Sequence, residues 1–338
     1  MAGDPAAAAP GIGAEATAFL AGLLSPYCAQ ALLQPPPGLL DGAIVEQSRL
    51  FSLYTLQVQR QVLTDLATAG IAAIAIKGFA HAHLHYPRPE MRMIGDLDIV
   101  VARADIGAVI DAMRPRGLQF GAAHKPRWGF ISDASFIPFH SPDGLCNIDL
   151  HIEPDAYPLH RGLDATLLRA QARTVPAGPL RVLMPSATHQ LMLLVSNAAK
   201  DRFFPMVLRK LIDAAFLLRS EGSAVDWPAL AAIARRAQLA KALAVMLRLL
   251  LDLGLPAALL GEHGVALAAR RGALYRHLLA QWQDLRTEPN ALIGLLREPL
   301  LLYDFAAVLD RNRRRLAGLL RPQSGIPAQW RDAQPPTQ

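Results

Sequence analysis

Patterns typical of buried β-strands are concentrated in one part of this chain, residues 71–153, and this restricts the folds it can adopt. Residues 71–76 and 97–101 are short, continuous apolar runs, which are typical of strands buried on both faces. Residues 128–139 and 145–153 predict two further strands, joined by a Ser-Pro-Asp-Gly turn. We therefore expect a small mixed β-sheet within a largely helical protein.

The patterns before and after this segment are helical, which predicts an α+β protein with an all-α helical domain after the sheet. A long helix is expected over residues 44–69, and an amphipathic helix over residues 104–116. Beyond residue 164 the pattern is almost entirely helical. The expected divisions are a disordered N-terminus at 1–13, N-terminal helices packing on the core at 14–70, the core at 71–163, a helical domain at 164–321 and a flexible tail at 322–338.

Composition indicates a globular protein and gives little support for a nucleic-acid partner. Of the 338 residues, 52% are apolar and 18% are charged, which excludes a disordered chain. The net charge is +6, but 29 of the 34 basic residues are arginine and alanine is abundant, a usage typical of GC-rich bacterial coding. Two cysteines without a C-x-x-C spacing favour a reducing cytoplasm. No uncharged apolar run reaches the ~18 residues needed to span a membrane, so no membrane partner is expected.

Three aspartates are the main candidates for catalysis. Asp96 and Asp98 start a predicted strand and project from the same face, because side chains alternate along a strand. Asp149 lies in a second predicted strand, whose polar residues also share one face. Carboxylates placed this close repel one another unless a cation lies between them. The pattern therefore predicts a site for a divalent metal, although Asp-x-Asp is by itself common at exposed strand ends.

A candidate phosphate site lies nearby in the sequence. Lys77 and Gly78 follow a predicted strand and precede a helix, where backbone amides and an ammonium group can bind phosphate. Arg92 lies four residues before Asp96, close enough to contact the same anion.

These motifs resemble the uncharacterised nucleotidyltransferase family of bacteria, within the polymerase-beta-like nucleotidyltransferase superfamily. The resemblance comprises a strand followed by Lys77-Gly78, then Arg92-x-x-x-Asp96-x-Asp98, then Asp149 in an Ile-Asp-Leu-His sequence. Lys77-Gly78 stands where the family usually has Gly-Gly or Gly-Ser. His189 and the pair Arg209-x-x-x-Asp213 in the helical region are also similar to positions that recur in the family.

The resemblance implies a nucleotidyltransferase core and assigns roles to these residues. Asp96, Asp98 and Asp149 are the expected catalytic residues and metal ligands. By the same resemblance, Asp96 and Asp98 hold two Mg²⁺ or Mn²⁺ ions, and Asp149 orients and activates the acceptor. The residues expected to hold the phosphates of the nucleoside triphosphate co-substrate are Lys77, Gly78, Arg92 and Gly95. His151 and Asn147 are candidates for the acceptor pocket, and a supporting role for His151 beside an acidic neighbour is equally compatible with the sequence.

The implied reaction is transfer of a nucleoside monophosphate from the triphosphate to an acceptor, with release of pyrophosphate. By resemblance, the acceptor is a peptide natural product or a small metabolite. One alternative is a toxin-like enzyme acting on RNA or tRNA, a less favoured partner. Another is a catalytically silent scaffold that binds a nucleotide, although three converging carboxylates argue against it. Base preference, the number of nucleotides transferred, oligomeric state and pathway are not encoded in these motifs.

Three other charged or histidine-rich motifs have simpler interpretations. His81, His83 and His85 diverge if they lie on a helix, which disfavours a zinc site. The spacing of Arg209 and Asp213 predicts an intrahelical ion pair on a solvated face, and the alternative is a basic residue that reaches the triphosphate. The arginine-rich run at 311–315 is interpreted as a solvated helix face rather than a nucleic-acid patch.

Overall fold

The computed structural model describes residues 14–120, 139–204, 207–269 and 296–320. In this part of the chain a seven-stranded mixed sheet is combined with twelve helices, as the α+β expectation requires. The strands are β1 Ile74–Ile76, β2 Asp96–Val100, β3 Gln119–Phe120, β4 Phe139–His140, β5 Asn147–His151, β6 Arg173–Ala177 and β7 Leu180–Met184. The helices are α1 Ala14–Leu24, α2 Pro26–Leu33, α3 Gly42–Thr68, α4 Lys77–Leu84, α5 Ile106–Met113, α6 Ala165–Ala170, α7 Ala187–Lys200, α8 Leu208–Glu221, α9 Trp227–Arg236, α10 Ala240–Asp252, α11 Gly261–Ala268 and α12 Phe305–Leu320.

The strand order in the sheet is β3-β4-β5-β2-β1-β7-β6. At its centre β2 runs antiparallel to β1 and parallel to β5, and β7 runs parallel to β1. Parallel neighbours in the middle of a sheet are normally covered on both faces. That explains why the central strands are the continuous apolar runs visible in the sequence.

The two faces of the sheet contribute to different hydrophobic cores. Leu97 and Ile99 on β2 face a core formed with residues of α3 and α5. Ile74, Ile76 and Val100 face the other way and join a core built largely from the helices that follow the sheet. Since Asp98 alternates with Ile99, its side chain is on the same face as Val100. The carboxylates of the central strands therefore face the helical half of the protein.

The helical interpretation of the chain beyond residue 164 is wrong for residues 173–184. Strands β6 and β7 form a hairpin there, and β7 extends the sheet by pairing with β1 through Ile74 and Leu183. Gly178 has a φ of 69°, a conformation that glycine adopts without steric cost and that permits the tight turn. The expected division at residue 164 stays a prediction, and the hairpin beyond it belongs to the sheet.

Most predicted helices are present with small shifts in their ends. The helix expected over residues 44–69 is α3, and the one expected over residues 104–116 is shortened to α5 with a 3₁₀ turn at each end. The helical pattern over residues 14–33 forms two helices, α1 and α2, which are separated by Ser25. The Ser25 side chain accepts a hydrogen bond at the start of α2. No helix of the described chain is both long and apolar enough to cross a bilayer.

Some expectations fall outside the described residues. They concern the N-terminus at 1–13, the tail at 322–338, most of the strand expected over residues 128–139, and the helical patterns within residues 270–295. The arginine-rich run lies on α12, where Arg313 and Arg314 pair with Asp310 on the same helix.

Candidate active site

The two central parallel strands bring Asp98 and Asp149 side by side. Asp98 on β2 is the register partner of Asp149 on β5, and Asp96 is the partner of Asn147. The alternation of side chains places all four on the face toward the helical half. Asp98 is buried, with 7% of its surface exposed, whereas Asp149 is half-buried and Asp96 is exposed. The three carboxylates therefore differ in burial, from the buried Asp98 to the exposed Asp96 at the edge of the site.

Asp98 is held by two nitrogen donors. His151 lies one pleat beyond Asp149, and its Nε2 is 2.9 Å from Asp98 Oδ1. The Lys77 ammonium forms an ion pair with the same oxygen. Although burial favours the neutral acid, Lys77 and His151 hold the pKa of Asp98 well below its usual range. Asp98 is thus an ionised, fixed carboxylate.

Lys77 reaches Asp98 because of its position at the end of β1. Ile76 is the register partner of Asp98 in the antiparallel pair, and Lys77 follows it as the first residue of α4. Although burial opposes a charge, Asp98 raises the pKa of the Lys77 ammonium above its usual range. The φ of Lys77 is 52°, in the left-handed region that glycine normally occupies. The left-handed backbone conformation therefore explains why the family usually has Gly-Gly or Gly-Ser at this point.

Asp149 has the opposite electrostatic character. Burial, and then the negative charge of Asp98, raise the pKa of the Asp149 carboxyl. A raised pKa makes a carboxylate a stronger base, which favours proton transfer. Asp98 and Asp149 thus form a pair in which one carboxylate stays ionised and the other is suited to proton transfer.

The same residues offer ligands for a divalent cation. One ligand atom each from Asp98, Asp149 and His151 lies within 4.8 Å of the other two. Carboxylate and imidazole donors are common ligands of divalent ions, so the donor set fits a metal. Asp96 lies outside this cluster, and its Oδ1 accepts a hydrogen bond of 3.1 Å from Asn147 Nδ2. The role of Asp96 as a metal ligand stays a prediction.

A cavity of about 260 Å³ opens over the carboxylates. The sheet side contributes Asp96, Asp98 and Asp149, together with Gly78 and Gly95. The helical side contributes the cations Arg209 and Lys210 of α8 and the amide of Asn197 on α7. A cavity with carboxylates on one wall and cations on the other can accommodate a metal-bound polyanion.

Gly78 lies where the chain passes closest to Arg92 and Ile94. A β-carbon on Gly78 would lie 3.1 Å from Ile94 Cγ2 and 3.4 Å from Arg92 Nη1. Gly95 contributes backbone, since its carbonyl oxygen accepts a hydrogen bond of 3.0 Å from the Asn147 amide. Both glycines line the cavity, in agreement with their expected location beside the nucleotide.

Arg92 lines the cavity, but its guanidinium is engaged by the protein. Its Nε and Nη2 donate to the two carboxylate oxygens of Asp213 at 3.0 and 2.8 Å. Its Nη1 donates to the carbonyl oxygen of Met93. Asp213 does not pair with Arg209, whose guanidinium donates to the carbonyl oxygen of Leu23. The predicted intrahelical pair on a solvated face is therefore wrong, because Asp213 is buried against the loop before β2.

His81 and His83 lie on α4, and His85 directly follows it. The rings of His81 and His85 are 5.5 Å apart, whereas the ring of His83 packs against Phe79 with centroids 4.4 Å apart. His85 is hydrogen-bonded through Nε2 to Gln190 and through Nδ1 to Ser220, at 2.9 and 2.8 Å. His81 lines the cavity and is 1% exposed. Its Nδ1 has no hydrogen-bond partner in the described chain, and burial lowers the pKa of its imidazole to about 3.

Sequence reasoning missed Asp155, a buried carboxylate next to the site. It accepts hydrogen bonds from Ser196 Oγ at 2.7 Å and Lys200 Nζ at 2.6 Å, both on α7. Although burial favours the neutral acid, Lys200 and Lys77 lower the pKa of Asp155 to about 2. Its partners lie more than 40 residues away, so no local pattern could have indicated it.

Comparison with known proteins is consistent with this arrangement. The model of the family described as "Uncharacterised nucleotidyltransferase" matches residues 23–253, which include the sheet, both central carboxylates and helices α7 to α10. Among solved structures, JHP933 from Helicobacter pylori aligns with 80% of this chain and 98% of its own, at 13% identity and a TM-score of 0.33. No curated protein matches the chain. Because the family model spans well over half of the sequence, the chain belongs to the uncharacterised nucleotidyltransferase family.

Proposed function

We propose that this protein transfers a nucleoside monophosphate from a nucleoside triphosphate to an acceptor, with Mg²⁺ as the metal and pyrophosphate as the second product. The observation that carries the proposal is the convergence of Asp98 and Asp149 on the floor of a cavity whose opposite wall is cationic. A silent scaffold has no need for such an arrangement, since placing two carboxylates side by side costs stability through their mutual repulsion.

The sheet side of the cavity is proposed to hold the reacting groups. Asp98 and Asp149, with Asp96 as the predicted third ligand, would hold Mg²⁺, which would supply positive charge to the α-phosphate and the leaving pyrophosphate. The acceptor nucleophile attacks the α-phosphorus in line with the bond to pyrophosphate, which breaks. Asp149 takes the proton of the nucleophile, a role that its position beside Asp98 at the cavity favours.

The helical side is proposed to hold the polyphosphate. Arg209 and Lys210 line the same cavity as the carboxylates, so we assign them to the β- and γ-phosphates. A triphosphate would compete with their present partners, the carbonyl oxygen of Leu23 for Arg209 and the carboxylate of Asp201 for Lys210. The start of α4 at Gly78 adds backbone amides, which bind phosphate at helix N-termini. This gives α8 the task of binding the triphosphate, the alternative that the sequence left open for Arg209.

The acceptor proposed from the family resemblance is a peptide or a small metabolite. His151 and Asn147 lie on the same strand face as Asp149, close to the groups that would activate the acceptor. His151 also contacts Asp98, so it supports the carboxylate directly.

The test is transfer of label from α-labelled nucleoside triphosphates in cell extract supplemented with Mg²⁺ or Mn²⁺. We expect label in an acceptor, and γ-labelled triphosphate should release its label as pyrophosphate rather than phosphate. Asp98→Asn and Asp149→Asn should each lower transfer by about 100-fold or more. The matched control is Asp111→Asn, because Asp111 is an exposed carboxylate outside the site.

Separation of the labelled products by class distinguishes peptide, metabolite and RNA acceptors. The proposal fails if the wild-type protein neither transfers label nor binds the triphosphate with metal. Equal transfer by wild type and by Asp98→Asn would disprove the assignment of the site.

A further inference from the structure

We propose that the Lys77 ammonium is a permanent cation of the active site, so that the site binds one divalent ion together with the nucleotide rather than two. This inference rests on the proposed function, because it concerns how the same carboxylates are neutralised. It gives Lys77 a different role from the phosphate contact that the sequence suggested. Three features of Lys77 support this role: the carboxylate oxygen that its ammonium contacts, its backbone conformation and the charge around it.

The first argument is the occupancy of Asp98 Oδ1. An ionised carboxylate only accepts hydrogen bonds and has about two lone-pair positions on each oxygen. Lys77 Nζ and His151 Nε2 both donate to Oδ1, so its two positions are taken. Only Oδ2 of Asp98 remains for a metal ion. A pair of ions bridged by this carboxylate would require Lys77 or His151 to leave.

The second argument is that Lys77 cannot withdraw easily. Its backbone is fixed by its position between β1, in the centre of the sheet, and α4. Its side chain is only 20% exposed. In addition to Asp98, the negative charges of Asp155 and Asp149 act on the ammonium. The negative charge of three carboxylates therefore favours the ammonium in this position, on Asp98 at the wall of the cavity, over one extended toward a phosphate.

The third argument is the backbone conformation. A side chain in the left-handed region strains the backbone, and Lys77 has a φ of 52°. Glycine at this position would avoid that strain. Residues held in such conformations cluster at functional sites, where the side chain has a task that offsets the strain. Here the strained residue delivers an ammonium group to the most buried carboxylate of the site.

The charge of the site is consistent with one ion. Asp96, Asp98 and Asp149 carry three negative charges when all are ionised. Lys77 and one divalent cation together neutralise them. Asp155 is neutralised separately by Lys200, with which it forms an ion pair.

The experiment counts Mn²⁺ in the complex with a non-transferable triphosphate that has a methylene bridge between the α- and β-phosphates. Native mass spectrometry gives the number of ions per chain, and electron paramagnetic resonance detects magnetic coupling between paired ions. We expect one ion and no coupling in the wild type. The Lys77→Gly variant should bind two magnetically coupled ions, because loss of the ammonium frees one position for a cation. Glycine also suits the left-handed backbone at this position. Lys77→Arg, which keeps the charge, should bind one.

Lys200→Asn is the matched control, because it removes an ammonium from the neighbouring carboxylate Asp155 and leaves Asp98 unchanged. It should bind one ion, and circular dichroism should show that each variant is folded. Two ions in the wild type, or one ion in both wild type and Lys77→Gly, would overturn the inference while leaving the proposed function intact. Two ions in Lys200→Asn would also overturn it, since the gain would then not be specific to Lys77. If the wild type binds no Mn²⁺ with the nucleotide analogue, the proposed function itself fails.

Discussion

Arg92 and Asp213 form a buried ion pair that joins the loop before β2 to helix α8. Two parallel hydrogen bonds of 3.0 and 2.8 Å connect the guanidinium to both carboxylate oxygens. Tyr86 donates a third hydrogen bond of 2.8 Å to Asp213, which is 1% exposed. Because β2 carries Asp98 and α8 carries Arg209, this pair fixes the two walls of the cavity relative to each other.

Removing one member of this pair should destabilise the protein strongly. Asp213→Ala leaves the Arg92 guanidinium buried without its partner, so we expect the free energy of unfolding to fall by about 3–5 kcal/mol. The double variant Arg92→Met/Asp213→Leu should lose much less, because no buried charge remains. Urea denaturation measures both values.

The control for this prediction is Asp111→Ala, which breaks the exposed pair between Asp111 and Arg114. It should change the free energy of unfolding by less than about 1 kcal/mol. A loss in Asp213→Ala no larger than in this control would contradict the structural role of the Arg92 pair.

The carboxylates could be predicted from the sequence because their geometry is set locally. Alternation along each strand places Asp96 with Asp98 on one face of β2 and Asp149 with His151 on one face of β5. Pairing of the two strands in register makes these the same face of the sheet. The link between Lys77 and Asp98 also follows from the register of β1 and β2, but only once their antiparallel pairing is known.

The parts that sequence reasoning missed depend on contacts between distant segments. Arg209 and Asp213 have ideal spacing for an ion pair, yet the burial of Asp213 against Arg92 gives it a partner 121 residues away. The hairpin of β6 and β7 is short and its strands are only partly buried, so its apolar pattern resembles that of the surrounding helices. In both cases contacts between distant segments, rather than the local sequence pattern, determine the structure that forms.

A second prediction concerns Gly162, which lies against helix α9. A β-carbon there would lie 2.4 Å from the carbonyl oxygen of Ile233 and 3.0 Å from the amide nitrogen of Ala237. Because both neighbours are backbone atoms, Gly162→Ala requires the helix to move. We expect the free energy of unfolding to fall by about 1–3 kcal/mol, measured by thermal or urea denaturation.

In the matched change Gly107→Ala, the new methyl group meets nothing within 4 Å, so stability should stay the same or rise by up to about 1 kcal/mol. Equal effects at the two sites would contradict the packing of Gly162.

A third prediction tests the cationic wall. Arg209→Ala should weaken binding of the metal–triphosphate complex by about 10-fold or more, since a hydrogen bond to a charged group contributes roughly 1.5–3 kcal/mol. Binding of the corresponding nucleoside monophosphate should change much less, because it lacks the β- and γ-phosphates. Isothermal titration calorimetry with both nucleotides measures the difference.

Arg181→Ala, at an exposed position on β7, is the control and should bind both nucleotides as the wild type does. Equal losses for the triphosphate and monophosphate would show that Arg209 does not contact the outer phosphates.

The last prediction concerns the effect of pH on stability through His81. Burial lowers the pKa of this imidazole to about 3, the charges of His85 and Arg92 add to the effect, and Asp213 partly opposes it. Burial also lowers the pKa of His83 and of His189 to about 4. These groups are neutral in the folded protein but take up protons in the unfolded chain below a pH of about 6.5. Unfolding therefore binds protons in this range.

Stability should accordingly be full above pH 6.5 and decrease as the pH falls toward 3, because the unfolded state binds more protons there. His81→Gln should reduce the slope of unfolding free energy against pH, between pH 4.5 and 6.5, by up to about 1.4 kcal/mol per pH unit, the limit for one proton. Aspartates with ordinary or lowered pKa values titrate below this window, and Asp149, whose pKa is raised, is present in both the wild type and His81→Gln. Urea denaturation at several pH values measures the slope, with the exposed His263→Gln on α11 as the control. An unchanged slope in His81→Gln would mean that His81 is protonated to the same extent in the folded and unfolded states.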